Sequence, residues 1–177
     1  MTPEQRNLVM GLVTMPLRGP ELSKAEFLQR FGADDGKTLG LRLLRDAVAR
    51  QDDVDLEMAL IVCGAFGVMA DHELLTSILD VFVNLVAADW HQRHEEVVST
   101  LDRLRSPDAV DALYLATWWV PPYLEWDSDG ALAMKAVRAL AKIPGDEAGR
   151  ALEKVLETAG ENARGKAREK LEQRKRE

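Results

Sequence analysis

Residues 132–156 read LAMKAVRALAKIPGDEAGRALEKVL. Leu132, Ala136, Ala139, Leu140 and Ile143 recur at helical spacing and form one apolar stripe. Pro144 and Gly145 interrupt it, and a second stripe follows with Ala148, Leu152, Val155 and Leu156. The stretch predicts a helix, a tight corner and a second helix.

The pattern recurs on both sides. Upstream, Val97, Leu101 and Leu104 precede Ser106-Pro107, and Ala109, Ala112, Leu113 and Ala116 follow. Leu104 and Leu140 are 36 positions apart, as are Leu101 and Val137. Downstream, Lys166, Ala167 and Leu171 echo Lys135, Ala136 and Leu140 at a spacing of 31. One helical hairpin cannot bury its own apolar face, whereas stacked hairpins bury each other's. The segments AVRALAKIPGDEAGRALEKVL and ENARGKAREKL resemble the HEAT and bilin-lyase-type HEAT-like repeats. The resemblance extends from about Arg93 to the C-terminus. It implies an all-α chain, a right-handed α-α superhelix (HEAT-like solenoid) of about ten helices. Residues 1–177 would form a single domain, with N-terminal capping helices over 1–50 and stacked hairpins over 51–177.

Capping signals place the other helices. Thr2-Pro3-Glu4 starts a first helix, expected to run to about Thr14 and to stop before Pro16. Ser23 and Glu26 form a capping box for a helix from Lys24 to Phe31, closed by Gly32. Asp34 or Asp35 caps a third helix with Leu39, Leu43, Leu44, Ala47 and Val48 inward. Asp52-Asp53 marks the next corner. Two nearly all-apolar helices follow, about Val54 to Phe66 and His72 to Ala88. Glu73, Ser77, Asp80 and Asn84 form a narrow polar stripe on the second, either its water-facing side or the lining of a groove. A helix starting near His91 ends near Arg105, and Ser106-Pro107-Asp108 opens another that Pro121-Pro122 stops. Asp127 or Ser128 caps the next. No sustained period-two run predicts a strand.

Formal charge is −7, unevenly placed. Residues 161–177 hold seven Lys or Arg against four Glu, a surplus of +3 that leaves −10 for the remainder. An acidic body disfavours nucleic acid and favours a basic protein partner. The single Cys63 excludes an internal disulfide and fits a reducing compartment. No secretory signal is evident, and the apolar run Ala59 to Ala70 is too short to span a bilayer, so the expected location is cytoplasmic with no membrane contact.

The chemistry-bearing residues cluster between positions 89 and 127. Trp118, Trp119, Tyr123 and Trp126, with Glu125 and Asp127, surround the double proline. Large aromatic side chains dominate interface hot spots, and neighbouring acids suit Lys or Arg on a partner. Successive helical residues point about 100° apart, so at least one of Trp118 and Trp119 should reach solvent. The alternative is that the rings only pack a long loop onto the helices. Asp89, His91 and His94 form a second group across the neighbouring hairpin, read as a polar rim at a helix start. His91 and His94 are three apart, but the HExxH spacing and a Cys/His framework are missing, so no metal is expected. No phosphate loop, dinucleotide fingerprint or GxSxG elbow occurs, so no cofactor and no catalytic residue are expected. Cys63 lies among Leu60, Ile61, Val62, Ala65 and Phe66 and reads as a buried small hydrophobe.

The resemblance extends to small bacterial HEAT-like immunity proteins. It implies a non-enzymatic inhibitor that covers a toxin domain, often a basic one, with its acidic aromatic surface. Two alternatives share the fold. HEAT-like DNA glycosylases use tryptophans and an Asp in a basic channel, and bilin-lyase relatives serve as accessory or scaffold proteins.

Overall fold

Helix starts lie where side chains satisfy the free N–H groups of a first turn. The computed structural model describes residues 1–13 and 19–176. Thr2 accepts from the Gln5 N–H at 3.2 Å and Gln5 reciprocates to the Thr2 N–H at 2.9 Å, opening α1 (Pro3–Met10). The helix closes at Gly11, short of the expected end; Thr14 and Pro16 lie outside the described residues. Ser23 and Glu26 make a second reciprocal cap for α2 (Lys24–Phe31), and Gly32 closes it at φ 74°. Asp35 caps α3 (Gly36–Arg50) and Asp52 caps α4 (Asp53–Ala65). A 3₁₀ turn at Val68–Ala70 and α5 (His72–Thr76) follow. Next come α6 (Leu79–Leu85), α7 (His94–Leu104), a 3₁₀ turn at Pro107–Ala109 and α8 (Val110–Leu115). After the 3₁₀ turn Pro122–Leu124 come α9 (Ala131–Lys142), α10 (Asp146–Thr158) and α11 (Glu161–Arg174). The fold is all-α, with eleven α-helices and no strand among the described residues.

The chain divides into two compact units, Met1–Leu75 and Thr76–Glu177. In the first, α3 packs along α4, and residue 50 lies at the corner between them. Leu39, Leu43, Leu44 and Ala47 of α3 are buried, as are Leu56, Ala59, Val62 and Cys63 of α4. Gly40 permits the close approach: a Cβ there would lie 3.0 Å from Cys63 Sγ and 3.3 Å from its backbone. Asp55, only 1 % exposed, is the buried charge of this unit. It accepts from Arg6 Nε at 2.8 Å and Arg50 Nη2 at 2.6 Å, and from the amino group of Met1. Burial alone would raise its carboxyl, but these donors outweigh it and hold the group below the usual aspartate range.

In the second unit, α7 and α9 run parallel. Lys135 reaches Glu95 at 2.5 Å, and Lys142 reaches Asp102 at 2.6 Å, each pair 40 positions apart. Helix α11 keeps the same sense against α9: Asn162 bonds the Asp129 carbonyl and Arg174 the Ala141 carbonyl, both at a separation of 33. Tyr114 of α8 meets Thr158 of α10 through their hydroxyls at 3.3 Å. The stripe residues Leu132, Ala136, Ala139, Leu140, Ile143, Ala148, Leu152 and Val155 are buried, and Leu156 is half-buried. Ile143, preceding Pro144, is extended at φ −77°, ψ 127°, and Gly145 takes φ 94°, which makes the corner between α9 and α10.

The single helix expected from His72 to Ala88 is interrupted. Ile78, at φ −128° and ψ 19°, separates α5 from α6, and α6 stops at Leu85. Glu73, Ser77, Asp80 and Asn84 are all exposed. No helix among the described residues is long and apolar enough to cross a membrane.

Candidate functional site

The aromatic segment begins where α8 unwinds. The Trp118 and Trp119 N–H groups both fold back onto the Leu115 carbonyl, at 3.2 and 2.9 Å, and Thr117 Oγ1 donates to the Tyr114 carbonyl at 2.7 Å. Pro121 and Pro122 then prevent further helix, and the short 3₁₀ turn is closed by Leu124 N–H on the Pro121 carbonyl at 2.8 Å. At the far end, Asp127 accepts from the Asp129 N–H at 3.1 Å and the Ala131 N–H at 2.8 Å. Its carboxylate thus serves the start of α9, while Gly130, at φ 66°, occupies the cap position itself. The segment is held at both ends by its own backbone chemistry.

The rings divide into two groups. Trp126 is 80 % exposed and Trp118 47 % exposed, with Val120 beside them at 54 %. Trp126 Nε1 donates to the Tyr123 carbonyl at 2.7 Å. Its one polar atom is therefore satisfied within the loop, and covering the ring by a partner would strand no donor. Trp119 and Tyr123 turn the other way and are half-buried, their centroids 5.2 and 5.6 Å from the His94 ring.

His91 and His94 lie beneath this surface, not in a polar rim: each is 1 % exposed, and their rings stack at 4.2 Å and 20°. The cause is the early end of α6. The chain turns out of the helix there, and the imidazoles bond the carbonyls of that turn: His91 Nε2 donates to Leu85 O at 2.9 Å, which also accepts the Ala88 N–H at 3.2 Å, and His94 Nε2 donates to Ala88 O, three residues beyond the helix, at 2.8 Å. A carbonyl only accepts, so both Nε2 atoms carry hydrogen. His91 Nδ1 accepts the Arg93 N–H at 3.0 Å, which fixes that ring as the neutral Nε2–H tautomer. His94 Nδ1 faces the Tyr123 hydroxyl at 3.2 Å and so ties the aromatic segment to α7.

Acidic residues of the segment and of the stretch before and into α7 also reach solvent. Asp89, Glu96, Glu125 and Asp129 are exposed, whereas Glu95 is engaged by Lys135. Among the predicted site residues, Trp118, Glu125, Trp126 and Asp89 thus reach solvent, Trp119, Tyr123 and Asp127 are partly covered, and the two histidines are interior. Val120 and Asp129 were not singled out from the sequence; the only cue to Val120 is its place between the end of a helix and a double proline.

The space behind the segment is small. A pocket of about 40 Å³ is lined by Trp119, Val120, Pro121, Leu124 and residues at the start of α9. Small-ligand sites run from about 300 to 1,000 Å³, so this pocket is too small to hold one. Among the described residues no group of three or more His, Cys, Asp or Glu has a metal-binding arrangement. Cys63 is fully buried, and burial pushes its thiol up to about 12. No protein-family model, curated protein or solved structure matches the chain.

Proposed function

We propose that this protein is a non-enzymatic protein-binding module of HEAT-like type, an immunity-type inhibitor whose acidic aromatic face covers a basic partner domain. The observation that carries the reading is the pair Trp118 and Trp126: two large exposed rings on a segment anchored by hydrogen bonds, which also carries the exposed acids Glu125 and Asp129. A rigid segment loses little conformational entropy on binding, so more of the contact energy goes into affinity. The acids would steer a basic partner and set its orientation. Serial stacking of hairpins in the unit Thr76–Glu177 is supported by the parallel register of α7, α9 and α11, which is the relation expected between equivalent helices of successive repeats. The glycosylase alternative gains less support, because the Asp127 carboxylate is engaged by two N–H groups at the start of α9.

The test is affinity capture from the source cell, followed by titration of the purified captured protein against the intact chain and a Trp118→Ala/Trp126→Ala variant. Two exposed rings acting as hot spots, at about 2 kcal/mol each, predict weakening of roughly a hundredfold or more, with circular dichroism unchanged. Equal affinity of the folded double variant would remove this face from the mechanism.

A further inference from the structure

The other end of α7 and α9 carries the opposite charge. A cleft of about 410 Å³ is lined by Arg105, Arg138, Lys142, Lys170 and Arg174, together with Ala141 and Gln173. We infer that this cleft binds an oligophosphate, a compact ligand carrying two or more adjacent phosphate groups.

Helix ends explain part of the positive charge but not all of it. Arg174 donates to the carbonyls of Ala141, Ile143 and Gly145 at 3.3, 2.8 and 2.8 Å, satisfying the end of α9 and fixing its guanidinium at the cleft wall. Lys142 is paired with Asp102 at 2.6 Å. Lys170 donates to Gln173 at 2.9 Å and lies 3.7 Å from Glu169, which is itself bonded to Lys166. The C-termini of α7, α9 and α11 contribute about half a negative charge each. Five cations against Asp102 and those three ends leave a surplus of roughly two positive charges. The exposed side chains of Arg105 and Arg138 supply that surplus.

The lining selects the ligand. Guanidinium groups match phosphate oxygens as two-pronged donors. No aromatic side chain lines the cleft, so a nucleobase has nothing to stack on, and Ala141 offers little purchase for the apolar anchors that a peptide uses. The volume falls within the range of small-ligand sites, about 300 to 1,000 Å³. Phosphates from an inorganic chain or from a nucleotide would present the same chemistry, and the absence of ring contacts predicts that the two bind alike. The cleft takes Arg138, Ala141 and Lys142 from the C-terminal half of α9, whereas the aromatic segment precedes its first residue, so the inference stands apart from the protein-binding reading.

Isothermal titration of the full chain with inorganic triphosphate at low salt tests it, with adenosine triphosphate and a short DNA duplex as parallel titrants. The expected result is saturable binding of triphosphate, within about threefold of the nucleotide, weakened about tenfold by either Arg138→Ala or Arg105→Gly. Arg105 sits in the left-handed region at φ 50°, which glycine adopts freely, so that variant keeps the backbone intact. Lys175→Ala, outside the lining, should leave the affinity unchanged. No saturable binding, equal weakening by Lys175→Ala, or tighter binding of the duplex than of triphosphate would overturn the inference.

Discussion

His94 Nδ1 lies 3.2 Å from the Tyr123 hydroxyl, so the segment bearing the exposed tryptophans is tied by a side chain to the first turn of α7. Nitrogen-15 spectra of the imidazoles should place hydrogen on Nε2 of both His91 and His94, because each of those atoms faces a carbonyl. Tyr123→Phe removes the hydroxyl and should lower stability by about 1 kcal/mol. The same variant should shift the His94 Nδ1 resonance while leaving that of His91, whose Nδ1 faces the Arg93 amide. An unshifted His94 signal would mean that the hydroxyl does not reach it in solution.

The contrast between these histidines and the helix pattern explains what could be read from residues alone. Thr2 with Gln5, Ser23 with Glu26, Asp35 and Asp52 start their helices where expected, because capping is a local contact within three residues. The stripes on α9 and α10 are legible for the same reason: periodicity records which face is covered. The break at Ile78 carries no Gly or Pro to mark it. A helix running on to Ala88 leaves no turn at residues 85–88 for an imidazole to reach, so the sequence alone puts both histidines at the surface. Asp55 was unread because Arg6 stands 49 positions away from it. Trp118 and Trp126 were recognisable as a cluster, but their exposure depends on which rings His94 draws inward.

Glycines separate packing from propensity. A Cβ on Gly36 would fall 2.0 Å from the Phe66 ring, so Gly36→Ala must displace that ring or tilt α3. A loss of about 1–3 kcal/mol follows from such overpacking. Gly64 in α4 and Gly165 in α11 are exposed, with nothing within 4 Å of the added carbon. Alanine at either should stabilise by about 0.5–1 kcal/mol through helix propensity. Chemical denaturation of the three variants gives the comparison, and a neutral Gly36→Ala would contradict the close packing of α3 against Phe66.

Cys63 should be chemically silent in the folded protein. Its thiol has no exposed surface and is pushed up to about 12, so thiolate is scarce at neutral pH and access is blocked. A disulfide reagent should label it only at the rate of unfolding, with denaturant accelerating the reaction in step with loss of helical signal. Rapid stoichiometric labelling without denaturant would show that α4 opens locally.

Asp55 should dominate the acid sensitivity of the unit Met1–Leu75. Its folded carboxyl is held below the ordinary aspartate value, about 3.9, by the Met1 amino group and Arg6 acting against burial. A depressed folded value means that the contribution is fully present above the unfolded value and is lost as pH falls through the folded one. Asp55→Asn keeps the shape and removes the charge, leaving the Met1 amino group and Arg50 without their anion and Arg6 with Asp52 alone. Both arginines keep substantial contact with water, but the amino group is buried, so the loss at neutral pH should be about 3–5 kcal/mol. The difference from the parent chain should therefore be constant from pH 7 to about 5 and shrink below about 4. Urea titrations at a series of pH values measure it directly. A difference that persisted unchanged far below pH 4 would assign the cost to lost packing instead of lost charge.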